Sequence, residues 1–318
     1  MVKNKIFDYA IIVPVYNNED TVEFLMAELD KVVIRKNKDF KGLILFCNDG
    51  SSDQSLIKLK QIRDQYSNVK IINFTKNFGQ ASAIYAGLKE SEAKYYVITS
   101  ADLQDPPEVI NSFLEDSLVK KVDVIIGTRT SRDDGLLSEL LSSISSWIVN
   151  RLNNNVLPHG FFDFVTISRQ VRNILLVKEL SNPFWQLEIV KLGFDIKYIP
   201  YERKKRIHGK SMWTISKKLK YFLDAIIGYS FTPLRLMSLI GIIFSFSGIA
   251  YSAYILFAKI YGIGTFVYGW APLMIVILVI GGFQMLFLGI IGEYIWRIAS
   301  QVNHSNSYII KEKFDSLN

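Results

Sequence analysis

The stretch S-A-D-L-Q-D-P-P-E at residues 100–108 holds the side chains best suited to chemistry in this chain. It follows directly on Tyr95, Tyr96, Val97, Ile98 and Thr99, a β-branched and aromatic run that reads as a strand. Oxygen ligands just past such a strand are how an α/β sheet offers a metal-binding edge, because ligands gather beyond the strands' carboxyl ends. Asp102 and Gln104 stand two apart, so in an extended segment they share a side. Pro106 and Pro107 end that segment and can open a helix, since proline suits the first helical turn. Three more strand ends carry polar clusters: Pro14 to Glu19, Asn48 to Asp53, and Lys76 to Gln80. Each is ordinary by itself, for N-D-G-S is a common turn and Asp53 a common helix cap. Four in order along one sheet edge mark the place where a nucleotide would sit.

The elements that must hold these clusters alternate. Residues 9–15, 42–47, 69–74, 95–99 and 122–128 read as strands, and 21–35, 53–65, 80–89 and 108–119 as helices. Val22, Leu25, Met26, Leu29, Val32 and Val33 show the helical spacing plainly. The expected fold is α/β, a mostly parallel nucleotide-binding sheet with helices on both faces. From 131 to 200 the pattern loosens, leaving a helix at 136–152 and a strand at 194–200. Residues 217–229 form an amphipathic pattern, with Leu219, Phe222, Leu223 and Ile226 on one side.

Composition narrows the setting. The 318 residues carry a formal net charge of +7, and one cysteine, Cys47, excludes an internal disulfide framework. The apolar neighbours Leu45 and Phe46 suggest a buried Cys47, and His159, His208 and His304 offer it no evident partner. The N-terminus lacks a signal-peptide pattern and reads as a strand. Nine Lys and Arg lie between Arg203 and Arg235, with Asp224 the only acid. This run precedes an apolar segment, which favours an anionic lipid surface and not nucleic acid. Residues 236–258 and 271–292 hold no charge for 23 and 22 residues, the length of a membrane-spanning helix. Tyr251, Tyr254, Tyr261, Tyr268 and Trp270 cluster near the linker that joins them, as an interfacial belt would. The basic flank and Arg297 place both outer ends in the cytoplasm. The expected order is a cytoplasmic domain at 1–212, an interfacial segment at 213–232, two membrane helices within 233–300, and a tail at 301–318.

As a set, the four clusters resemble family 2 glycosyltransferases, which carry P-x-Y-N-E, D-D-G-S-x-D, N-x-G and D-x-D in that order. A-D-L-Q-D-P-P-E from Ala101, and Arg203, Arg206, Gly209 and Ser211, resemble the polyprenyl-phosphate sugar transferase subgroup, similar to dolichyl-phosphate mannose synthase. The resemblance covers about residues 8–300 and implies the glycosyltransferase A-type fold followed by an interfacial helix and a two-helix hairpin. It implies transfer of a sugar from a nucleotide sugar, UDP-linked, to a polyprenyl phosphate at the cytoplasmic membrane face, for surface glycans. Pro14, Tyr16, Asn17, Glu19, Asp49, Lys76 and Asp102 would bind the nucleotide, with Asp49 accepting from the base. Asp102 and Gln104 would hold Mg2+ or Mn2+ beside the diphosphate. Arg129, Arg203, Arg206 and Ser211 would bind the lipid phosphate, and Asp102 and Asp163 would be catalytic. The resemblance also allows a homo-oligomer.

The chain departs from that pattern at Ser100, Asn18 and Asn48, each standing where an acid is usual. Gly160 takes the position of a further acid, with Asp163 the nearest carboxylate. Ser138 and Met212 replace basic residues. A rival reading of these departures is a degenerate paralogue acting as a membrane scaffold or regulatory partner. A processive polysaccharide synthase is disfavoured, because no Q-x-x-R-W segment is present and two helices are too few to line a channel.

Overall fold

The computed structural model describes residues 6–130, 162–177, 185–204, 232–261, 270–302 and 308–315. The expected helices at 136–152 and 217–229 lie outside them, as do Ser138, Gly160, Arg206, Gly209, Ser211 and Met212. Two compact units divide the chain: Met1–Thr214 with Ser305–Asn318, and Ile215–His304.

The first unit opens with strand β1 (Phe7–Val15) and helix α1 (Val22–Glu28), which widens into a π-helical turn at Leu29–Ile34. Then come β2 (Gly42–Asn48), α2 (Ser55–Gln65), β3 (Val69–Phe74), α3 (Gln80–Glu90) and β4 (Ala93–Ile98). Helix α4 (Pro107–Leu114) also ends in a π-helical turn, Glu115–Val119, before β5 (Val124–Arg129). Further on lie β6 (Val165–Ser168), α5 (Arg169–Val177), α6 (Trp185–Lys191), β7 (Ile196–Tyr201) and, near the C-terminus, β8 (Ile310–Asp315).

The sheet runs β7-β5-β6-β4-β1-β2-β3-β8. Its centre, β4-β1-β2-β3, is parallel, as is the β5–β7 pair. Antiparallel pairing enters where β6 lies between β4 and β5, and where β8 covers β3. The sheet is thus mixed: four of its seven pairings are parallel, including the expected parallel centre, and the three antiparallel ones lie outside that centre. Residues 310–315, expected in a tail, form a strand because Ile310, Glu312 and Phe314 alternate with the exposed Lys311 and Lys313.

Both faces of β1 are buried, as a central strand with helices on either side requires. Tyr9, Ile11, Val13 and Val15 join the core with Val22, Leu25 and Met26 of α1, Leu59 of α2 and Ile110 of α4. Helix α3 covers the opposite face of β1 and β2. A Cβ on Gly87 would stand 2.5 Å from Ile12 Cγ2 and 3.0 Å from Cys47 Sγ, so glycine lets α3 seat closely. Cys47 is fully buried there, and burial pushes its thiol far above the usual range.

The second unit holds α7 (Thr232–Ile260) and α8 (Trp270–Val302), helices of 29 and 33 residues. They meet at the Phe244 and Phe283 rings, whose centres are 5.1 Å apart. Taken over the described residues alone, no helix is long and apolar enough to cross a membrane.

Candidate functional site

The site forms at the carboxyl edge of β1, β2, β3 and β4, where the four clusters meet. Loop 16–19 after β1 and loop 51–55 after β2 are zipped together by reciprocal hydrogen bonds. The Asn17 backbone N–H donates to Ser51 Oγ at 3.0 Å, and Ser52 N–H donates to Asn17 Oδ1 at 3.0 Å. Asn18 N–H donates to Ser55 Oγ at 2.9 Å, and Glu19 N–H to Asp53 Oδ2 at 3.1 Å. Gln54 N–H returns the contact to Glu19 Oε2 at 2.8 Å. Asn17 adopts a left-handed φ of 53°, which asparagine tolerates better than most residues. Asn18, where the resemblance expects an acid, uses its Oδ1 to accept from Tyr16 N–H at 3.0 Å. Asn17 and Glu19 therefore build the loops that border the site, while Pro14 and Tyr16 stand half-buried at the end of β1.

Asp49 performs a similar task at the next strand. Its two carboxylate oxygens accept from Phe78 N–H at 2.7 Å and Gly79 N–H at 2.9 Å, fixing the loop after β3. Burial pushes the carboxyl up to about 6, against those two backbone donors, which favour the charged form. Each oxygen keeps a lone pair for a further donor. Lys76 lies on the same loop with its ammonium 5.2 Å from the centre of the Phe78 ring.

The Asp102–Gln104 segment is a turn and not an extended strand end, which corrects the same-side argument. Leu103 has a φ of 59° while its side chain is buried, so the backbone reverses between the two polar residues. The turn is anchored on one side by Thr21 Oγ–H, which donates to the Ala101 carbonyl at 2.7 Å. On the other side Lys204 N–H donates to the Gln104 carbonyl at 2.9 Å. Arg203 is thereby carried beside the turn by the chain leaving β7, and its Nε is buried with no hydrogen-bond partner among the described residues.

Behind the turn lies a group that sequence reasoning missed. Ser100 Oγ stands 2.7 Å from Asp102 Oδ1 and 2.8 Å from Asp105 Oδ2. One hydroxyl proton cannot serve two carboxylates, so the second contact needs a proton on an acid. Asp105 is the acid of the pair disposed to carry it, because burial raises its pKa, against Tyr201 and Ser100, which favour the charged form. Tyr201 O–H donates to Asp105 Oδ1 at 2.6 Å. Serine at position 100 thus spaces two acids that a third carboxylate would crowd. Asp105 was visible inside the motif, but nothing local signalled Tyr201. Nearby, Arg129 at the end of β5 donates to Asp163 Oδ2 at 2.9 Å, joining two residues singled out in sequence.

Among the described residues no three His, Cys, Asp or Glu converge on one point. The donor set is one carboxylate, Asp102, and the Gln104 amide oxygen. That fits a hard divalent cation that keeps most of its positions for phosphate oxygens and water.

The Glycosyl transferase family 2 model matches residues 10–176. Putative glycosyltransferase CsbB of Bacillus subtilis is 34% identical over 303 residues, covering 95% of this chain and 91% of its own. A bactoprenol glucosyl transferase of Shigella phage SfV is 30% identical over 308 residues, covering 96% and 98%. Glucosyl-3-phosphoglycerate synthase of Mycobacterium tuberculosis, solved with Mn2+, UDP and glucosyl-3-phosphoglycerate, shares the fold at a TM-score of 0.50. It is 13% identical and covers 70% of this chain and 78% of that one. The β-α order, the polar edge and relatives aligned over nearly the whole length agree: this chain is a glycosyltransferase and belongs to glycosyl transferase family 2.

Proposed function

We propose that the enzyme transfers a hexose from a uridine-diphosphate sugar to a polyprenyl phosphate at the cytoplasmic face of a membrane. The observation that carries this reading is the bond from Lys204 to Gln104, which sets Arg203 against the turn bearing Asp102. A guanidinium whose Nε is buried and has no partner among the described residues is suited to an anion that replaces its lost hydration. Two phosphate groups, one from the donor and one from the acceptor, are thus expected within one small region. The relative named as a bactoprenol glucosyl transferase aligns over nearly its full length and supports a polyprenyl acceptor.

The chemistry suits these residues. A phosphate monoester oxygen is ionised near neutral pH, so a general base, worth about 10²–10⁴ elsewhere, is not essential. What remains is alignment and charge neutralisation. The loops zipped at 16–19 and 51–55, with Asp49, would hold the nucleoside, and Arg203 the acceptor phosphate. Asp102 and Gln104 would hold a divalent cation, which neutralises charge on the departing diphosphate. Arg129, paired with Asp163, is the second guanidinium assigned to the acceptor, and Arg206 and Ser211 extend the same assignment.

We assign α7 and α8 to a membrane hairpin. Their sequences contain the charge-free runs 236–258 and 271–292. Large apolar side chains such as Phe246 and Met285 are 70% and 73% exposed, surface that water would penalise and lipid would not. Strand β8 follows α8 in sequence yet is hydrogen-bonded to β3, so the chain that leaves the sheet after β7 returns to it. Two crossings are compatible with that return, and one is not.

Two measurements test these readings. Full-length protein in detergent, given undecaprenyl phosphate and a panel of UDP-hexoses with Mg2+, should form a lipid-linked sugar with at least one of them. No transfer and no donor hydrolysis across the panel would favour the scaffold reading. For topology, a cysteine placed at Gly264 should react with a membrane-impermeant thiol reagent from outside intact cells, and one placed at Ser316 should not. The buried native thiol at Cys47 should stay silent, and the reverse labelling pattern would rule out a cytoplasmic head.

A further inference from the structure

One row of side chains runs across three strands from the C-terminal strand to the nucleotide-side loops. Glu312 of β8 is in register with Asn73 of β3, and Asn73 with Asn48 of β2. Asn73 Nδ2 donates to Glu312 Oε2 at 3.2 Å, and Asn48 Nδ2 donates to Asn73 Oδ1 at 2.8 Å. Ser51 Oγ–H donates to Asn48 Oδ1 at 2.6 Å and accepts from Asn17 N–H at 3.0 Å. Every bond in the row points the same way, from the Asn17 loop toward an anion. Asn48 and Asn73 are buried, so an amide turned the wrong way could not recover its bonds from water.

The polarity has one physical origin. A carboxylate only accepts hydrogen bonds, so Glu312 obliges Asn73 to present its NH2. Asn73 then offers only its carbonyl to the residue at 48, which must donate. Asparagine can do this and an ionised aspartate cannot. Asn48, which departs from the acid usual at this position, is thereby matched to Glu312 some 239 residues away in sequence from Asn73. Aligned hydrogen bonds of this kind polarise one another and hold a single arrangement.

We propose that Glu312 is a positioning residue for the nucleotide donor, setting the Asn48–Ser51–Asn17 loops through Asn73. It rests on the reading above that these loops hold the nucleoside diphosphate. Because β8 directly follows the segment after α8, the donor pocket is complete only when the C-terminus has docked on β3.

The test is UDP affinity, measured by calorimetry on full-length protein in detergent. Glu312→Ala should weaken UDP about tenfold, the effect of losing a hydrogen bond to a charged group. Lys313→Ala removes a different β8 contact, the 2.6 Å pair with Glu90, and should leave the affinity unchanged. Asn48→Asp should also weaken UDP, since two acceptors then meet at Asn73. Adding Glu312→Gln to Asn48→Asp should restore binding, because the glutamine amide can donate to Asn73, which turns to donate to the new carboxylate. A merely structural glutamate would not produce that rescue. Wild-type affinity in Glu312→Ala, an equal loss in Lys313→Ala, or no recovery in the double variant would each overturn the role of Glu312 alone. Failure of the unsubstituted protein to bind UDP would overturn the donor reading, and this role with it.

Discussion

Asp102→Asn should lower sugar transfer by about 10²–10³-fold, the scale of losing one electrostatic group aimed at developing charge. Its fold should persist. An amide at 102 can donate to Ser100 Oγ, whose own proton then serves Asp105 Oδ2, so neither contact needs a protonated acid. The thermal midpoint is therefore expected to hold or rise while turnover collapses. Among the described residues Asp102 is the carboxylate at the turn best placed for a cation, since Asp105 is buried behind it and engaged by Tyr201. Transfer rates with titrated Mg2+, set beside thermal unfolding of the same preparation, check the claim. Near-normal turnover in the variant would remove Asp102 from the reaction, and a fall in both quantities would make it a structural acid.

Gly50→Ala should damage both stability and donor binding. Gly50 has a φ of +63°, and a Cβ there would stand 2.3 Å from the Lys76 carbonyl carbon and 2.7 Å from Asn77 N. Both obstacles are backbone, so no flexible side chain can swing aside. The loop after β3 must move away, and with it Phe78 and Gly79, whose N–H groups satisfy the buried Asp49. We expect a loss of about 2–4 kcal/mol from strain and overpacking together, with UDP binding falling below detection. Gly193 provides the control, for its φ is +77° and nothing lies within 4 Å of a Cβ built there. Gly193→Ala should therefore show only the left-handed strain, about 1 kcal/mol, with donor affinity intact. Denaturant unfolding and calorimetry on both variants separate the clash from the backbone preference. Equal losses in the two would show that contact with Lys76 is not the cause.

Local periodicity alone determined the α/β alternation, and with it the strand ends that carry Asn17, Asp49, Lys76 and Asp102. Strands repeat every two residues and helices every 3.6, so short windows of sequence suffice to place them. The strand at Val69–Phe74 has the bounds read from sequence, and the other four strands of the first 130 residues differ only at their ends. The tertiary structure decided what local pattern does not encode, namely which strands become neighbours and which distant groups meet. Strand β6 had no legible signal at four residues, and four of the six residues of β8 are charged, so each depends on a partner strand for its backbone hydrogen bonds. The same holds for side chains. Ser100 and Asn48 look like losses when set against a motif, because a motif records residue types and not their partners. Their partners are Asp105 with Tyr201 in one case and Asn73 with Glu312 in the other. A buried polar group is stable only when its donors and acceptors match, and that match is completed across strands by residues far apart in the chain.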